Sequence, residues 1–218
     1  MKYYIWRLLG IPLLVMFMDL AFILFAREVF TQLQTLVPIF LLNVFISIDI
    51  IIRPVSTKKD EYNRYIVASS FLLMPILFIL PYYEFIVLND QILSPLIINL
   101  ISIIGSALMT LGGILLLMSR IQLGEYGGPK IVVEDKHKLI TIGLYQFIRH
   151  PMYLGFLLLF FGYSLAFGSF IMTIVITFTF FLIFKNRMDI EERLLISEFG
   201  EEYLRYMERT KRLFPILY

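Results

Sequence analysis

A run of 33 residues, Met152 to Phe184, contains no charged side chain. As one α-helix it would be about 50 Å long, whereas the hydrocarbon core of a bilayer is about 30 Å thick. The run is therefore too long for a single ordinary crossing. We expect a break near Gly162 and the sequence Phe167–Ser169, which would give two short, closely packed helices in a hairpin. One long tilted helix is the alternative.

Four other apolar runs have the length of a membrane span. They cover residues 5–26, 33–52, 66–88 and 95–119. With 59% hydrophobic and 17% charged residues, the composition lies outside the range of soluble proteins. We predict an all-α integral membrane protein with five to six transmembrane helices, a C-terminal helical hairpin and a cytosolic amphipathic helix. The first run is too long for a signal peptide and lacks a small-residue cleavage site, so we expect it to be a retained span.

The charges of the connecting segments predict the orientation. Segments 53–64 and 120–150 contain four and five Lys or Arg residues, and segment 89–94 contains none. Because basic loops stay on the cytosolic side, six crossings with both termini cytosolic fit this distribution. The catalytic face would then also be cytosolic, since segment 120–150 and the C-terminal tail lie on that side.

Composition also excludes several classes of function. A net charge of +2 is too small to indicate a nucleic-acid partner, and the basic residues of the loops suit lipid headgroups. The chain has no cysteine, so it has no disulfide, thiolate metal site or cysteine nucleophile. We predict membrane lipids as partners, and neither nucleic acid nor metal.

Two acidic residues, Asp19 and Asp49, lie within predicted spans. A carboxylate in hydrocarbon is costly, so we expect both side chains to point away from lipid.

The tail is amphipathic. Its apolar and aromatic residues recur every three to four positions among Glu and Arg, the pattern of a helix lying on the membrane surface. They are Leu194, Leu195, Phe199, Tyr203, Tyr206 and Met207. Gly200 is expected to interrupt this helix, and Pro215 to end any helix near Phe214.

Several polar residues at the membrane boundary have a structural and a chemical interpretation. Arg187 and Glu191 are four residues apart and share a helix face, so they could simply form a local ion pair. Arg149 could anchor the boundary, with Pro151 starting a helix. Tyr145 and Tyr153 could belong to an interfacial aromatic belt.

Five short motifs occur in order between Leu139 and Pro215, about a third of the chain. The motifs are G-x-Y at Gly143–Tyr145, R-H-P-x-Y-x-G at Arg149–Gly155, E-E-x-x-L at Glu191–Leu195, F-G-x-x-Y-x-x-Y at Phe199–Tyr206, and the late Pro215. Taken together, they resemble the isoprenylcysteine carboxyl methyltransferase family of membrane enzymes. The first four spans carry no motif of this family.

The resemblance implies a cofactor, S-adenosylmethionine (SAM), and a set of residues that hold it. The implied cofactor-binding residues are His137, Lys138, Leu139, Ile140, Tyr145, His150, Pro151, Met152, Tyr153 and Glu191. Arg187 is implied as the catalytic and substrate-binding residue that holds the acceptor carboxylate. Relatives can have a glutamine contact where Lys130 aligns, so Lys130 is left out of this set. The resemblance also implies residues 1–119 as N-terminal transmembrane helices and 120–218 as the SAM-binding catalytic region, in one integrated membrane domain.

The residue types suit this chemistry. A carboxylate acceptor is already ionised at neutral pH, so methyl transfer needs alignment and exclusion of water rather than a general base. The planar guanidinium of Arg187 can grip a carboxylate with two hydrogen bonds, whereas His150 suits a hydrogen-bonding wall. The predicted function is therefore SAM-dependent methyl transfer to the carboxylate of a lipid-modified cysteine or a similar hydrophobic acceptor.

Three alternatives remain at this point. A phospholipid amine N-methyltransferase would share the membrane setting and SAM, but Arg187 would not hold a neutral amine as it holds a carboxylate. An NADPH-dependent membrane reductase of related fold would need basic groups around a 2′-phosphate, where this tail is acidic. A non-enzymatic membrane scaffold predicts that changes at Arg149, Tyr153 and Glu191 leave function intact.

Overall fold

The computed structural model describes residues 19–20, 22–26, 33–52, 77–89, 92–127 and 138–214. The helices within these ranges are named α1 to α6 in chain order: α1 (Leu33–Ile52), α2 (Leu77–Leu88), α3 (Pro95–Leu123), α4 (Pro151–Ala166), α5 (Phe170–Phe199) and α6 (Glu201–Arg209). Much of the first and third predicted spans lies outside the described residues, as do the basic segment 53–64, Lys130, His137 and Pro215.

The protein is all-helical in the described ranges, where the backbone forms no strand beyond an isolated bridge between Ile148 and Lys211. Of the described helices, α1, α3 and α5 are long and apolar enough to cross a membrane, and α2 and α4 are shorter apolar helices. The prediction of an all-α integral membrane protein is confirmed. The number of five to six crossings stays a prediction.

The long apolar run breaks at Phe167–Ser169, as expected, with Gly168 at a positive φ of 73°. Two details of the prediction are wrong. Gly162 does not take part in the break but lies within α4, where it packs against a neighbouring helix. The second helix of the hairpin is also not short, because α5 continues past the apolar run to Phe199 and carries Arg187, Glu191 and Glu192 on its last turns.

Four glycines form the contact between α3 and α4. Gly105 and Gly112 of α3 face Gly162 and Gly155 of the antiparallel α4. A Cβ atom on Gly112 would lie 2.7 Å from the carbonyl oxygen of Gly155, and one on Gly155 would lie 2.6 Å from the backbone nitrogen of Leu116. The backbones therefore approach so closely that only glycine fits, the small-residue packing typical of membrane helices. This contact sets the end of α3 beside the start of α4.

A buried ion pair joins α1 to α3. The Arg120 Nε atom donates to Asp49 Oδ1 at 2.8 Å, and the two side chains are 3% and 2% exposed. Arg120 also donates to the carbonyl oxygen of Gly127, just beyond α3. Asp19 accepts a hydrogen bond from Asn43 Nδ2 at 3.1 Å. Both carboxylates thus contact other protein groups, in agreement with the expectation that they point away from lipid.

The far end of the hairpin is capped by a carboxylate from another helix. Glu84 of α2 accepts hydrogen bonds from the backbone N–H groups of Phe170, Ile171 and Met172 at 2.7 to 2.9 Å, and also from the Ser169 hydroxyl. The first N–H groups of a helix have no partner within it, so an anion here satisfies them and suits the helix dipole. The cap fixes where α5 begins.

Gly200 interrupts the helical tail, as expected, at a φ of 53°, and α6 begins directly after it. The buried residues of α6 are Tyr203 and Tyr206, which contact other protein groups. The position of α6 on the membrane surface stays a prediction. The boundary predicted between the N-terminal transmembrane helices (1–119) and the catalytic region (120–218) falls inside α3, because this helix continues without a break to Leu123.

The glycine contact predicts that small additions to α3 destabilise the protein. Gly112→Ala places a methyl group against the backbone of α4, so we expect the free energy of unfolding to fall by about 1–3 kcal/mol, the usual cost of overpacking. Ala107→Leu, on the exposed side of the same helix, is the matched control and should leave stability nearly unchanged. Thermal unfolding in detergent measures both. Equal stability of the two variants would contradict the close contact.

The buried ion pair predicts an asymmetric mutant cycle. Asp49→Leu and Arg120→Leu each leave an uncompensated buried charge, so each should cost about 3–5 kcal/mol of unfolding free energy. The double variant should cost less than the sum of the two single variants, because no charge is left unpaired. Lys185→Leu, at an exposed cation of α5, is the control. Additive losses measured by denaturant unfolding would contradict this pairing.

Candidate functional site

A pocket opens where the end of α3, the start of α4 and the polar end of α5 meet, with α6 closing one side. Its lining side chains combine tyrosines, aliphatic residues and three ionisable groups. They are Leu123, Tyr126, Leu139, Ile140, Tyr145, Arg149, His150, Met152, Tyr153, Glu191, Leu195, Tyr203 and Tyr206. The pocket therefore offers ring faces, apolar surface and one carboxylate, Glu191, from the charged end of α5.

Tyr153 links Arg187 and Glu191. Its hydroxyl donates to Glu191 Oε2 at 2.8 Å and accepts from Arg187 Nε at 3.3 Å. The Tyr153 ring is buried and stacks on Phe184, with 5.1 Å between ring centroids. The first turn of α4 and the polar end of α5 are thereby joined through one phenol. Glu191 lines the pocket, whereas Arg187 lies on the other side of that hydroxyl.

Tyr145 sits on a 3-10 turn, Gly143–Gln146, before α4. The turn starts with Gly143 at a φ of 65°, and the Leu144 N–H donates to the side-chain oxygen of Gln122 at 2.9 Å. Tyr206 of α6 donates its hydroxyl to the Tyr145 carbonyl oxygen at 2.6 Å. Helices on both sides thus hold the turn, so the Tyr145 ring has a fixed place in the pocket wall.

The pocket tyrosines outside the spans are uncharged near neutral pH. Burial raises the pKa of the Tyr145 phenol well above its ordinary value, and the nearby Glu191 charge acts in the same direction. Burial likewise raises the pKa of Tyr206 to about 12 and raises that of Tyr203 further. These phenols can therefore donate hydrogen bonds or present ring faces, but they cannot serve as phenolate bases.

A second carboxylate, Glu192, links the start of α4 to the segment after α6 next to the pocket. Its side chain is 4% exposed and accepts from Arg149 Nε at 2.8 Å and Arg212 Nε at 3.0 Å, and His150 Nε2 lies 3.1 Å away. The backbone N–H groups of Arg149 and His150 also donate to the carbonyl oxygens of Lys211 and Arg212. The segment after α6 is therefore tied to the start of α4.

The structure brings most of the predicted cofactor-binding residues together. Seven of the ten line the pocket: Leu139, Ile140, Tyr145, His150, Met152, Tyr153 and Glu191. Pro151 is buried at the first position of α4. Lys138 is exposed next to Leu139, and His137 lies outside the described residues.

Sequence reasoning missed other residues of the site. Tyr203 and Tyr206 were assigned to a membrane-surface face, although their place in the F-G-x-x-Y-x-x-Y motif could have indicated a role in the site. Glu192 was visible as the second residue of E-E-x-x-L. Nothing in the sequence pairs it with Arg149 and Arg212, because those contacts join segments distant along the chain.

Comparison with known proteins supports the resemblance that the motifs indicate. The phospholipid methyltransferase family model matches residues 100–202, the part of the chain that contains the pocket. A protein-S-isoprenylcysteine O-methyltransferase of Schizosaccharomyces pombe is 32% identical over 81 residues, covering 37% of this chain and 34% of that protein. The human protein of the same name is 35% identical over 83 residues, covering 38% of this chain and 29% of that protein. The chain thus matches less than half the length of these relatives.

A solved structure shares the fold. The eukaryotic intramembrane Ras methyltransferase ICMT (isoprenylcysteine carboxyl methyltransferase) aligns with a TM-score of 0.61 and 23% sequence identity, covering 84% of this chain and 65% of that one. With 84% of the chain covered, the structural alignment extends beyond residues 100–202, which the family model matches. The chain is therefore similar over residues 100–202 to the phospholipid methyltransferase family, and its fold resembles that of this membrane methyltransferase.

Proposed function

We propose that this protein transfers a methyl group from SAM to the carboxylate of a lipid-modified cysteine or a similar hydrophobic acceptor at the membrane face. The observation that carries the proposal is the pocket, which gathers seven of the residues that the resemblance implies for the cofactor; one of them, Tyr153, contacts Arg187. The similarity to protein-S-isoprenylcysteine O-methyltransferases supports the same reaction and the same acceptor class.

The residues of the pocket suit SAM as the cofactor. Leu123, Leu139 and the Tyr145 ring offer an apolar and aromatic wall for a planar base. Glu191 offers a carboxylate for hydroxyl or ammonium donors, and its negative charge suits a cation. Among the described residues that line the pocket, the one Lys or Arg side chain is Arg149, and its guanidinium is engaged by Glu192. This balance favours a cationic ligand over a polyphosphate such as NADPH.

In this site SAM would supply an electrophilic methyl group, which the carboxylate oxygen takes while the carbon–sulfur electron pair stays on sulfur. The chain has to align and shield this exchange, because no proton moves when a carboxylate becomes a methyl ester. Arg187 would hold the acceptor carboxylate through its guanidinium. Tyr153, which contacts both Arg187 and Glu191, would set the distance between acceptor and cofactor.

The position of the site suits an acceptor with an apolar tail. Arg187 follows directly after the apolar part of α5, and the Tyr153 ring stacks on Phe184 one turn earlier in that helix. An acceptor could therefore present its carboxylate to Arg187 while its tail stays in the bilayer. The basic character of segment 120–150 favours a cytosolic position for this face, with both termini on the same side.

The cofactor assignment predicts SAM binding by the purified protein. Isothermal calorimetry in detergent should give micromolar affinity for the wild type. Glu191→Ala and Tyr145→Ala should each weaken binding roughly 10- to 100-fold, the effect of one or two lost hydrogen bonds or ring contacts. Glu198→Ala, at an exposed carboxylate of the same helix, is the control and should bind as the wild type does. Folded wild-type protein that binds NADPH and not SAM would contradict the proposal.

The role of Arg187 predicts separate effects on the two substrates. Arg187→Leu should raise the KM for a farnesylcysteine analogue roughly 10- to 100-fold, since a charge-assisted pair is lost. SAM affinity should change much less. Arg187→Lys should recover only part of the loss, because an ammonium lacks the planar fork. Lys185→Leu tests for an effect of charge alone. An unchanged acceptor KM in Arg187→Leu would remove Arg187 from the acceptor site.

A further inference from the structure

His150 and Glu192 are in contact, and the proposed reaction assigns no role to this contact. The Nε2 atom of His150 lies 3.1 Å from Glu192 Oε1, with both side chains buried to 4% exposure or less. The same carboxylate accepts from the guanidinium groups of Arg149 and Arg212. A carboxylate between two arginines is ionised and can only accept hydrogen bonds. The hydrogen in the contact must therefore be on Nε2 of His150.

This contact fixes which nitrogen of the ring can accept a hydrogen bond from a ligand. In a neutral imidazole one nitrogen carries the hydrogen and the other has a lone pair. With Nε2–H directed at Glu192, Nδ1 is the acceptor. Among the residues that the structure describes, Glu192 is the one hydrogen-bond partner of this ring. His150 also lines the pocket, with its ring centroid 5.5 Å from that of Tyr153.

The backbone and the ring of His150 are each anchored by hydrogen bonds. His150 is the residue before α4, and its backbone N–H donates to the Arg212 carbonyl oxygen at 3.0 Å. Arg212 also pairs with Asp189 at 2.6 Å, one turn before Glu192 on α5. Helix α5 and the segment after α6 therefore hold both the backbone and the ring of His150. A change of ring tautomer would require breaking the contact with Glu192.

We propose that Glu192 is a positioning residue that locks His150 in the Nε2–H tautomer, so that Nδ1 accepts a hydrogen bond from a donor group of the bound cofactor. The proposal rests on the proposed function, because the donor would be a hydroxyl or amino group of SAM. It assigns distinct tasks to the two adjacent glutamates. Glu191 lines the pocket itself, and Glu192 acts through His150.

Nitrogen NMR reads this tautomer directly. The chain has two histidines, His137 and His150, so protein with ring-15N histidine gives two imidazole signals, and His137→Gln leaves one. In spectra recorded at pH 8, we expect His150 of the ligand-free wild type to show the Nε2–H pattern. The Nδ1–H pattern, an imidazolium or a mixture of tautomers in the wild type would overturn the proposal.

Variants of Glu192 connect the tautomer to binding. Glu192→Gln can offer either an oxygen or an N–H to the ring, so both tautomers should appear. SAM affinity should fall roughly tenfold, about the effect of one hydrogen bond. The KM for SAM should rise while the KM for the acceptor stays within about twofold of the wild-type value. Glu198→Gln, the same substitution at an exposed position of α5, should leave tautomer and affinity unchanged.

Other outcomes separate the two claims. Mixed tautomers in Glu192→Gln together with unchanged SAM affinity would overturn the positioning role. Glu192→Asp keeps the charge and should retain the Nε2–H tautomer. This variant provides the tautomer measurement if Glu192→Gln does not fold. If the wild type shows the Nε2–H pattern but binds no SAM, the proposed function fails and the role of Nδ1 toward that cofactor fails with it. The claim that Glu192 fixes the tautomer of the His150 ring would remain valid, because the wild-type spectrum is recorded without ligand.

Discussion

The close approach of α3 and α4 is the constraint on which the site depends. Apolar helices in a bilayer gain little from hydrophobic association with each other, since lipid is equally apolar, so close packing has to hold them. Gly105, Gly112, Gly155 and Gly162 let two backbones meet. As a result Leu123 and Tyr126, at the end of α3, lie in the same pocket as His150 and Tyr153, at the start of α4. The pocket is a consequence of packing that occurs within the apolar layer.

Charge is arranged in two separate groups around this pocket. Arg187 and Glu191 are joined through the Tyr153 hydroxyl, and Glu191 faces the pocket. Glu192, the next residue, is buried among Arg149, His150 and Arg212 and does not line the pocket. Adjacent residues of a helix point in directions about 100° apart, so two glutamates in sequence can serve a binding site and a structural cluster at once. The E-E-x-x-L motif thereby supplies one glutamate to the pocket and one to the buried cluster of charges.

Local features of the sequence predicted the elements well. The uncharged run of 33 residues indicated a hairpin, and the turn lies at the predicted Phe167–Ser169, where Gly168 has a positive φ. The motifs named seven residues that the fold brings into one pocket. Gly162 was misread, since a glycine that breaks a helix and one that admits a neighbouring helix look alike in a single sequence. The deciding partner, Met109, lies on another helix.

Contacts between distant segments could not be predicted. Asp49 pairs with Arg120, and Glu192 with Arg149, across separations that carry no periodic signal. The role of α6 was missed for a related reason. Its amphipathic pattern shows that one face is buried, but not whether lipid or protein covers that face. Tyr203 and Tyr206 are covered by protein, and their hydroxyl-bearing rings suit a pocket wall.

The most direct test of the account is the chemical form of the methylated product. Purified protein in lipid nanodiscs would be incubated with SAM carrying a radiolabelled methyl group and a farnesylcysteine analogue, with phosphatidylethanolamine as the competing acceptor. We predict label in the cysteine derivative that alkali releases as volatile methanol, because a carboxyl methyl ester hydrolyses. Label that stays non-volatile after alkali, in the headgroup amine of the lipid, would show amine methylation, and no transfer to either acceptor by folded, SAM-binding protein would contradict the proposed reaction.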